Sequence, residues 1–229
     1  MVVTVAELFL CVTGAINSGR LRPLLPALVP LTVALLFLHF TLRGKFVVWA
    51  ALLDALNLRG DERVLDLGCG RGAVLLLAAR RLTSGRAVGV DLWRNADQSG
   101  NSAKATRHNA VAEGIFDRVE LFTADMTALP FEDNSFDLVV SSLAIHNIAT
   151  RSGRARALEE AVRVLRPGGR LLIADVRGTK PYPARLTTLG MTDVTRRPLG
   201  WQFWWCGPWS PLRVVSATKP ANPSPTRPH

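Results

Sequence analysis

The chain has 229 residues, a formal net charge of +10 and a hydrophobic content of 48%. This length is enough for one well-buried domain with an appendage, and it excludes two ordinary domains of full size. The positive charge suits an anionic membrane surface or a nucleic acid, because both attract basic patches. Cys11, Cys69 and Cys206 are scattered, so the sequence predicts neither a disulfide framework nor a zinc site, and a reducing compartment fits best.

Two apolar runs occupy residues 1–44. The first covers 2–16, and a turn at 17–19 separates it from the second, 24–42. The second run has about 19 residues without Lys, Arg, Asp or Glu, which is the length that a helix needs to cross the hydrocarbon core of a bilayer. We therefore expect residues 1–44 to form a hydrophobic helical segment that attaches the chain to a membrane.

Basic residues flank the second run. Arg43 and Lys45 follow it, so the positive-inside tendency predicts the cell membrane as location, with the catalytic domain on the cytoplasmic side. Arg20 and Arg22 lie between the runs and argue against a clean two-span hairpin. The first run is therefore predicted to be either a helix that lies in the membrane interface or a re-entrant segment paired with the second run. The alternative is that both runs are core helices packed on the domain that follows.

A strand, a glycine-rich turn and a helix are predicted after an amphipathic helix over 45–58. The strand covers 63–67, and the turn reads Asp66-Leu67-Gly68-Cys69-Gly70-Arg71-Gly72. Glycines at these positions let the backbone approach a ligand closely. Such a turn alone is weak evidence, because dinucleotide dehydrogenases use a related strand–turn–helix device.

The next elements follow in regular order. A second strand over 86–90 ends in Asp91, where a carboxylate can accept hydrogen bonds from ribose hydroxyls. A helix over 100–113 leads to a third strand over 119–123, which is followed by Asp125. The remaining elements predicted from the sequence are strands over 138–141 and 171–174, a glycine-rich turn over 166–170, a short helix over 181–190, and a closing hairpin over 192–197 and 212–217.

In this order and spacing, the motifs resemble those of the class I S-adenosylmethionine (SAM) dependent methyltransferases, closest to the group with quinone-ring and sterol methyltransferases. The resemblance covers residues 45–218 and implies a doubly wound α/β domain with a mostly parallel seven-stranded sheet. The implied cofactor is S-adenosyl-L-methionine, with S-adenosyl-L-homocysteine as the product, and no metal is required. Residues 219–229 are expected to form a disordered tail.

The resemblance also implies how the residues bind SAM. Asp66 lies near the methionine part and Asp91 binds the ribose, while Asp125 and Met126 contact the adenine. Leu92 and Trp93 follow on the adenosine side. The expected cofactor-binding residues are Asp66, Gly68, Cys69, Gly70, Asp91, Leu92, Asp125, Met126 and Ser141.

The substrate side is predicted over 141–148, after the fourth strand, because ligands of open α/β sheets bind at the carboxyl edge. His146 is the candidate catalytic residue, as a base or a substrate-orienting donor, since imidazole titrates near neutral pH. The alternative is a histidine that only closes a loop hydrogen bond. A tryptophan-rich segment over 201–209 has three interpretations: hairpin packing, contact with a membrane interface, or the wall of an apolar pocket.

Arginines concentrate on the helix predicted after the fourth strand and just beyond it: Arg151, Arg154, Arg156, Arg163 and Arg166. A solvated helix face explains them, and a phospholipid-facing patch is the alternative. A nucleic-acid partner is not expected, because no stacking aromatic residues are interleaved among these arginines.

The sequence thus predicts a membrane-associated methyltransferase that acts on a lipophilic small molecule, such as a prenylated ring, a lipid or a hydrophobic xenobiotic. Attachment is useful for such an acceptor, because enzyme and substrate that share the bilayer have a higher effective concentration. One alternative is a soluble enzyme whose N-terminal helices form a lid or the interface of a homo-oligomer. A lower-ranked alternative is a SAM-binding membrane scaffold without catalysis.

Overall fold

A computed structural model describes residues 25–94, 99–204 and 211–221. The first apolar run, over 2–16, lies outside the described residues, as do 205–210 of the tryptophan-rich segment and the tail from 222. Seven strands form one sheet in the order β3-β2-β1-β4-β5-β7-β6. Their bounds are β1 Arg63–Leu67, β2 Arg86–Asp91, β3 Val119–Thr123, β4 Phe136–Ser142, β5 Leu165–Asp175, β6 Thr192–Pro198 and β7 Arg213–Thr218.

Strands β1 to β5 are parallel, whereas β7 runs antiparallel to both β5 and β6. The helices are α1 Leu25–His39, α2 Lys45–Asp54, α3 Ala73–Ala79, α4 Ala103–Ala112, α5 Arg151–Val164 and α6 Tyr182–Thr188. Residues of α2, α3 and α4 form a hydrophobic core on one face of the sheet, and residues of α5 and α6 form a second core on the other face. The predicted doubly wound α/β fold with a mostly parallel seven-stranded sheet is confirmed.

Side chains of β1 show why both faces are covered. Val64 belongs to the first core, while Leu65 and Leu67 belong to the second, and all three are fully buried. A parallel strand buried on two faces carries apolar residues at successive positions rather than alternate ones. Among the four buried residues of this strand, Asp66 alone departs from that rule, and it lies in the candidate site.

Strand β5 begins earlier than the sequence indicates. Leu165 pairs with Phe136, and the next pair joins Arg170 to Leu138, so four residues of β5 bulge out of the ladder. Gly168 in this bulge has φ +79° and donates its backbone N–H to the carbonyl oxygen of Lys219. The glycine-rich turn predicted over 166–170 is therefore a four-residue bulge within β5. It is stabilised by the hydrogen bond from Gly168 to Lys219, which lies just after β7.

The N-terminal helix continues through the boundary predicted at residue 44. A π-helical turn, Phe40–Gly44, joins α1 to α2 without a break. Within this helix, Pro30–Asp54 has 25 residues, and its most apolar 18-residue part has a mean hydropathy of 1.6, so by length and composition it qualifies as a membrane span. The two halves differ in exposure, since Leu35 of α1 is 57% exposed whereas Trp49 of α2 is 1% exposed.

The described part of the tryptophan-rich segment packs against this helix. The ring of Trp201 stacks on His39 at 5.2 Å, and Phe203, fully buried, contacts Phe40 edge-on at 5.3 Å. A Cβ atom at Gly44 would lie 2.0 Å from the carbonyl oxygen of residue 202. Close approach of the backbone therefore requires glycine here, and these contacts hold the helix on the domain.

Helix α2 is also tied to the sheet by a hydrogen bond. The indole Nε1 of Trp49 donates to Oγ of Ser142, at the end of β4, over 2.9 Å. Tryptophan Nε1–H is a donor that usually finds a partner when it is buried, since an unmade hydrogen bond in the interior is costly.

This bond predicts energetic coupling between Trp49 and Ser142. We expect Trp49→Phe and Ser142→Ala each to lower the free energy of unfolding, and the double variant to lose about 1 kcal/mol less than the sum, because the shared bond is lost only once. Urea unfolding of the four proteins measures this coupling. Strict additivity of the two losses would show that the bond does not contribute.

Candidate cofactor and substrate site

The glycine-rich turn lies tightly between β2 and the loop after β4. The backbone N–H groups of Gly68 and Cys69 both donate to the carbonyl oxygen of Val90, over 2.8 and 3.2 Å. Gly68 has φ +73°, and a Cβ atom there would lie 2.2 Å from Cβ of Ala144. A side chain at residue 68 would therefore displace the loop after β4, which forms the opposite wall of the site.

Helix α4 supports this turn from outside. The hydroxyl of Thr106 donates to the backbone carbonyl oxygen of Gly70 over 2.6 Å. The side-chain amide of Asn109 donates to the backbone carbonyl oxygen of Arg71 over 2.9 Å. The helix begins at Ser102, whose Oγ accepts from the backbone N–H of Ala105 and so caps it. Helix α4 thus fixes the carbonyl groups of Gly70 and Arg71 in the turn.

A cavity of about 570 Å³ opens beside the turn, at the carboxyl edge of the sheet. It brings together eight of the predicted cofactor-binding residues: Asp66, Gly68, Cys69, Gly70, Asp91, Leu92, Asp125 and Met126. Ser141 is not in the wall; it is 1% exposed, and its hydroxyl donates to the carbonyl oxygen of Leu67 inside the sheet. Its neighbour Ser142 lines the cavity, as alternation along a strand requires.

Asp91 is held in place by three donors. Its Oδ2 accepts from the backbone N–H of Gly70 over 2.9 Å, and its Oδ1 accepts from the N–H of Trp93 over 2.6 Å and from the amide of Asn101 over 3.1 Å. Trp93 adopts φ +56°, a strained conformation for a bulky residue that is stabilised by its hydrogen bond to Asp91. The carboxylate is thus preorganised at the mouth of the turn.

Asp66 is a buried carboxyl group beside the cavity. It is 1% exposed, and its Oδ1 has no hydrogen-bond partner among the described residues. Burial raises the pKa of Asp66 to about 7, assisted by the charge of Asp91 and opposed by the backbone N–H of Leu75. A buried carboxylate without a counter-charge is unfavourable, so this position suits a cationic group of a ligand.

The remaining predicted cofactor residues complete the wall. Asp125 is exposed, and its Oδ1 accepts from the backbone N–H of Thr127 over 2.8 Å. Met126 reaches the turn, since its Cε would lie 3.3 Å from a Cβ at Gly68. Burial raises the pKa of the Cys69 thiol, and the charges of Asp66 and Asp91 raise it further, so the thiol stays protonated and is not a nucleophile.

His146 lies next to this cavity but not in its wall. Its Nδ1 is 2.6 Å from Oδ1 of Asp175, and its backbone N–H donates to Oδ2 of the same carboxylate over 3.0 Å. Asp175 is 1% exposed at the end of β5. Two neighbours of His146, Ala144 and Asn147, do line the cavity.

Several wall residues were not anticipated from the sequence. Phe37 and Phe40 come from the segment predicted to attach to a membrane or, alternatively, to form a lid, and Lys45 begins the predicted amphipathic helix over 45–58. Their sequence carries no signal for the site, because only the docking of Gly44 on the loop at residue 202 brings the helix over the cavity. Arg71 was detectable, since it lies within the glycine-rich turn itself.

The raised pKa of Asp66 makes stability depend on pH. An acid whose pKa rises on folding binds more protons in the folded state between its unfolded value of 3.8 and about 7, so the free energy of unfolding falls as pH rises through that window. We expect a loss of about 2 kcal/mol between about pH 5.5 and about pH 8 that is absent in Asp66→Asn. Urea unfolding at both pH values measures it, and parallel pH profiles for the two proteins would contradict it.

Comparisons with known proteins agree with this geometry. Residues 65–173 match the model of a family described as "Methyltransferase domain". The chain is 38% identical over 130 residues to Methyltransferase GfsG of Streptomyces halstedii, which covers 56% of this chain and 43% of the relative. It is 37% identical over 133 residues to the ubiquinone/menaquinone biosynthesis C-methyltransferase UbiE of Dinoroseobacter shibae, covering 58% and 50%. The chain therefore spans half or less of the length of these curated relatives.

A solved structure shows the same fold. Geranyl diphosphate C-methyltransferase from Streptomyces coelicolor, a complex with Mg2+, geranyl diphosphate and S-adenosyl-L-homocysteine, matches with a TM-score of 0.59 and 18% identity, over 74% of this chain and 78% of that chain. Residues 65–173 thus match the methyltransferase domain model, and the chain has the fold of the class I methyltransferases.

Proposed function

We propose that this chain is a SAM-dependent methyltransferase that acts on a lipophilic small molecule. The observation that carries the proposal is one cavity at the carboxyl ends of three neighbouring parallel strands. Its wall contains Asp66 within β1, Asp91 at the end of β2 and Asp125 just after β3. The fold alone does not decide the reaction, because one fold hosts many activities. The carboxylates and the match to a methyltransferase domain support this activity together.

The residues of the cavity fit the parts of SAM. The unpartnered oxygen of Asp66 suits the cationic methionine part, and Asp91, oriented by its three donors, suits the ribose hydroxyls. Asp125 and Met126 remain the proposed contacts of the adenine. When bound, SAM supplies a methyl group on a sulfonium. The chain contributes alignment of the acceptor with that methyl group and exclusion of water.

Apolar residues line the cavity beside these carboxylates. Phe37 and Phe40 of the N-terminal helix share the wall with Leu143 and Ile148 of the loop after β4. An acceptor with an apolar body would bury its surface against these side chains. The similarity to UbiE, which is named for ubiquinone and menaquinone biosynthesis, supports a lipophilic acceptor of the same general kind, such as a prenylated ring.

His146 stays the proposed base for an acceptor that must lose a proton. Nδ1 lies 2.6 Å from Oδ1 of Asp175, so in this proposal Nε2 is the nitrogen that would accept the proton. The same contact also satisfies the second interpretation, in which the histidine closes a loop. Either way, the pair His146–Asp175 anchors the loop that carries Ala144 and Asn147 of the wall.

We also propose that the N-terminal helix attaches the enzyme to the cytoplasmic side of a membrane. Leu31, Leu35 and Leu38 are 54%, 57% and 51% exposed, and only 17% of the most apolar part of Pro30–Asp54 is buried. A helix packed within a soluble core would bury such residues. The lid alternative draws support from Phe37 and Phe40 in the cavity wall, and one helix serves both roles if its outer face meets lipid.

Cofactor binding tests the proposed activity. We expect Asp91→Asn to weaken SAM binding at least tenfold in calorimetry, because the two ribose hydroxyls lose a charged acceptor. Methyl transfer to a panel of quinols, phenols and amines should fall with it. Asp117→Asn, which removes an equal charge at a side chain 73% exposed and outside the cavity, is the matched control and should bind as the unaltered chain does. No heat of SAM association with folded protein would overturn the proposal.

Membrane attachment is tested on the exposed face of the helix. We expect the full chain to sediment with membranes and to resist extraction by carbonate. Leu31→Lys with Leu35→Lys should release much of it, since each charge near the centre of a span costs about 3 kcal/mol. Val111→Lys, at an apolar side chain that is 58% exposed on α4, provides the control. A chain found mainly in the soluble fraction would favour the lid interpretation instead.

A further inference from the structure

A second cavity, of about 690 Å³, lies between α5, α6 and the loop before α6. Four basic residues line it, Arg151, Arg154, Lys180 and Arg185, and none of its described wall residues is acidic. It shares no wall residue with the first cavity, so its role is independent of the proposed methyl transfer.

The feature that requires explanation is the hydroxyl of Tyr182 in this wall. The tyrosine is 2% exposed, yet its hydroxyl has no hydrogen-bond partner among the described residues. A buried hydroxyl without a partner is unfavourable, because folding has removed it from water without replacing the lost hydrogen bond. Burial, with the charge of Asp175, raises the pKa of Tyr182, so the group is a neutral O–H donor.

The guanidinium of Arg154 borders the same space as this hydroxyl. A Cβ atom at Gly178 would lie 3.6 Å from Oη of Tyr182 and 3.6 Å from Nε of Arg154. Nη1 of Arg154 donates to the carbonyl oxygen of Ile148, which holds the guanidinium in position. The Tyr182 hydroxyl and the cationic Arg154 guanidinium thus both border the space that Gly178 leaves open because it has no side chain.

The basic residues at the mouth differ in their ion pairing from Arg163 of α5. Arg163 forms ion pairs with carboxylates on both sides. Arg185 in the cavity wall likewise pairs with Glu159. By contrast, Arg151 and Lys180 are exposed, and no described carboxylate forms an ion pair with either side chain. Two positive charges at the entrance are therefore available to an anion.

The carboxylate of Asp175 does not occupy this space. Its oxygens accept from the backbone N–H groups of His146 and Val176, and Oδ1 also contacts the imidazole of His146. The Asp175 carboxylate therefore binds groups at the end of β5 and in the loop after β4, and it is not part of the wall of the second cavity.

We propose that this second cavity binds a phosphate-bearing anion, held by the Tyr182 hydroxyl and the Arg154 guanidinium, with Arg151 and Lys180 at its mouth. Phosphate oxygens accept from hydroxyl and guanidinium donors together, and charge-assisted bonds of this kind are strong. Leu158 and Pro181 add an apolar part to the wall. The phosphate belongs either to a lipid headgroup or to a soluble phosphate ester, and both present the same group to these donors.

The test uses the full chain in nanodiscs of digalactosyldiacylglycerol, a lipid without phosphate, with sodium phosphate compared with sodium chloride at equal ionic strength. We expect phosphate to raise the thermal unfolding midpoint saturably. Tyr182→Phe keeps the ring and removes the donor, so the apparent affinity should fall about tenfold. Lys180→Gln should also weaken binding. Arg177→Gln, an exposed cation of the same loop outside the wall, is the matched control and should leave the affinity unchanged.

Two results would overturn the proposal: no stabilisation by phosphate beyond that of chloride, or equal affinity in the unaltered chain and Tyr182→Phe. Two further probes identify the source of the phosphate. If it is a lipid, phosphatidate in the nanodisc should abolish the response of the unaltered chain to added phosphate. If it is a soluble ester, glycerol 3-phosphate should reproduce the response and phosphatidate should leave it intact. These readouts need no SAM, so they are independent of the proposed methyl transfer.

Discussion

The close approach of the turn at Gly68 to the loop after β4 is the constraint on which the site depends. With 2.2 Å between a Cβ at residue 68 and that of Ala144, only glycine allows the two backbones to face each other across the cavity. The turn is fixed to β2 through Val90 and to α4 through Thr106, so it cannot move aside. This contact also sets the positions of two carboxylates. Asp66 lies two residues before Gly68, and Asp91 accepts a hydrogen bond from the backbone N–H of Gly70 in the same turn.

That arrangement places an ionisable group where the chain provides no counter-charge. Asp66 interrupts the buried apolar part of its strand, and its unpartnered oxygen lies in a region from which water has been removed. The cost is tolerated because the carboxyl group stays largely protonated until about neutral pH. A cationic ligand would supply the missing charge. The stability of the domain and the affinity of its site therefore depend on the same side chain.

Much of the fold was predictable from the sequence, because local motifs determine it. Residues 63–67 and 119–123 are strands with the predicted bounds, and eight predicted cofactor residues meet in one cavity, since parallel strands deliver their carboxyl ends to one edge. Ser141 was misplaced by one residue, which moves a side chain to the other face of a strand. The sequence did not predict that residues of the N-terminal helix line the first cavity, or that a second cavity surrounds Tyr182. Both features arise from contacts between segments that are distant in the sequence.

The unbroken helix through Phe40–Gly44 has a practical consequence for work on this protein. Removing residues 1–44 is the obvious way to obtain a more soluble version, since it deletes the apolar runs. That cut would also delete Phe37, Phe40 and Thr41 from the cavity, and the ring of Trp201 would lose its stacking partner His39. A shortened protein would then present a cavity with one side missing, and weak ligand binding by it would say little about the intact chain.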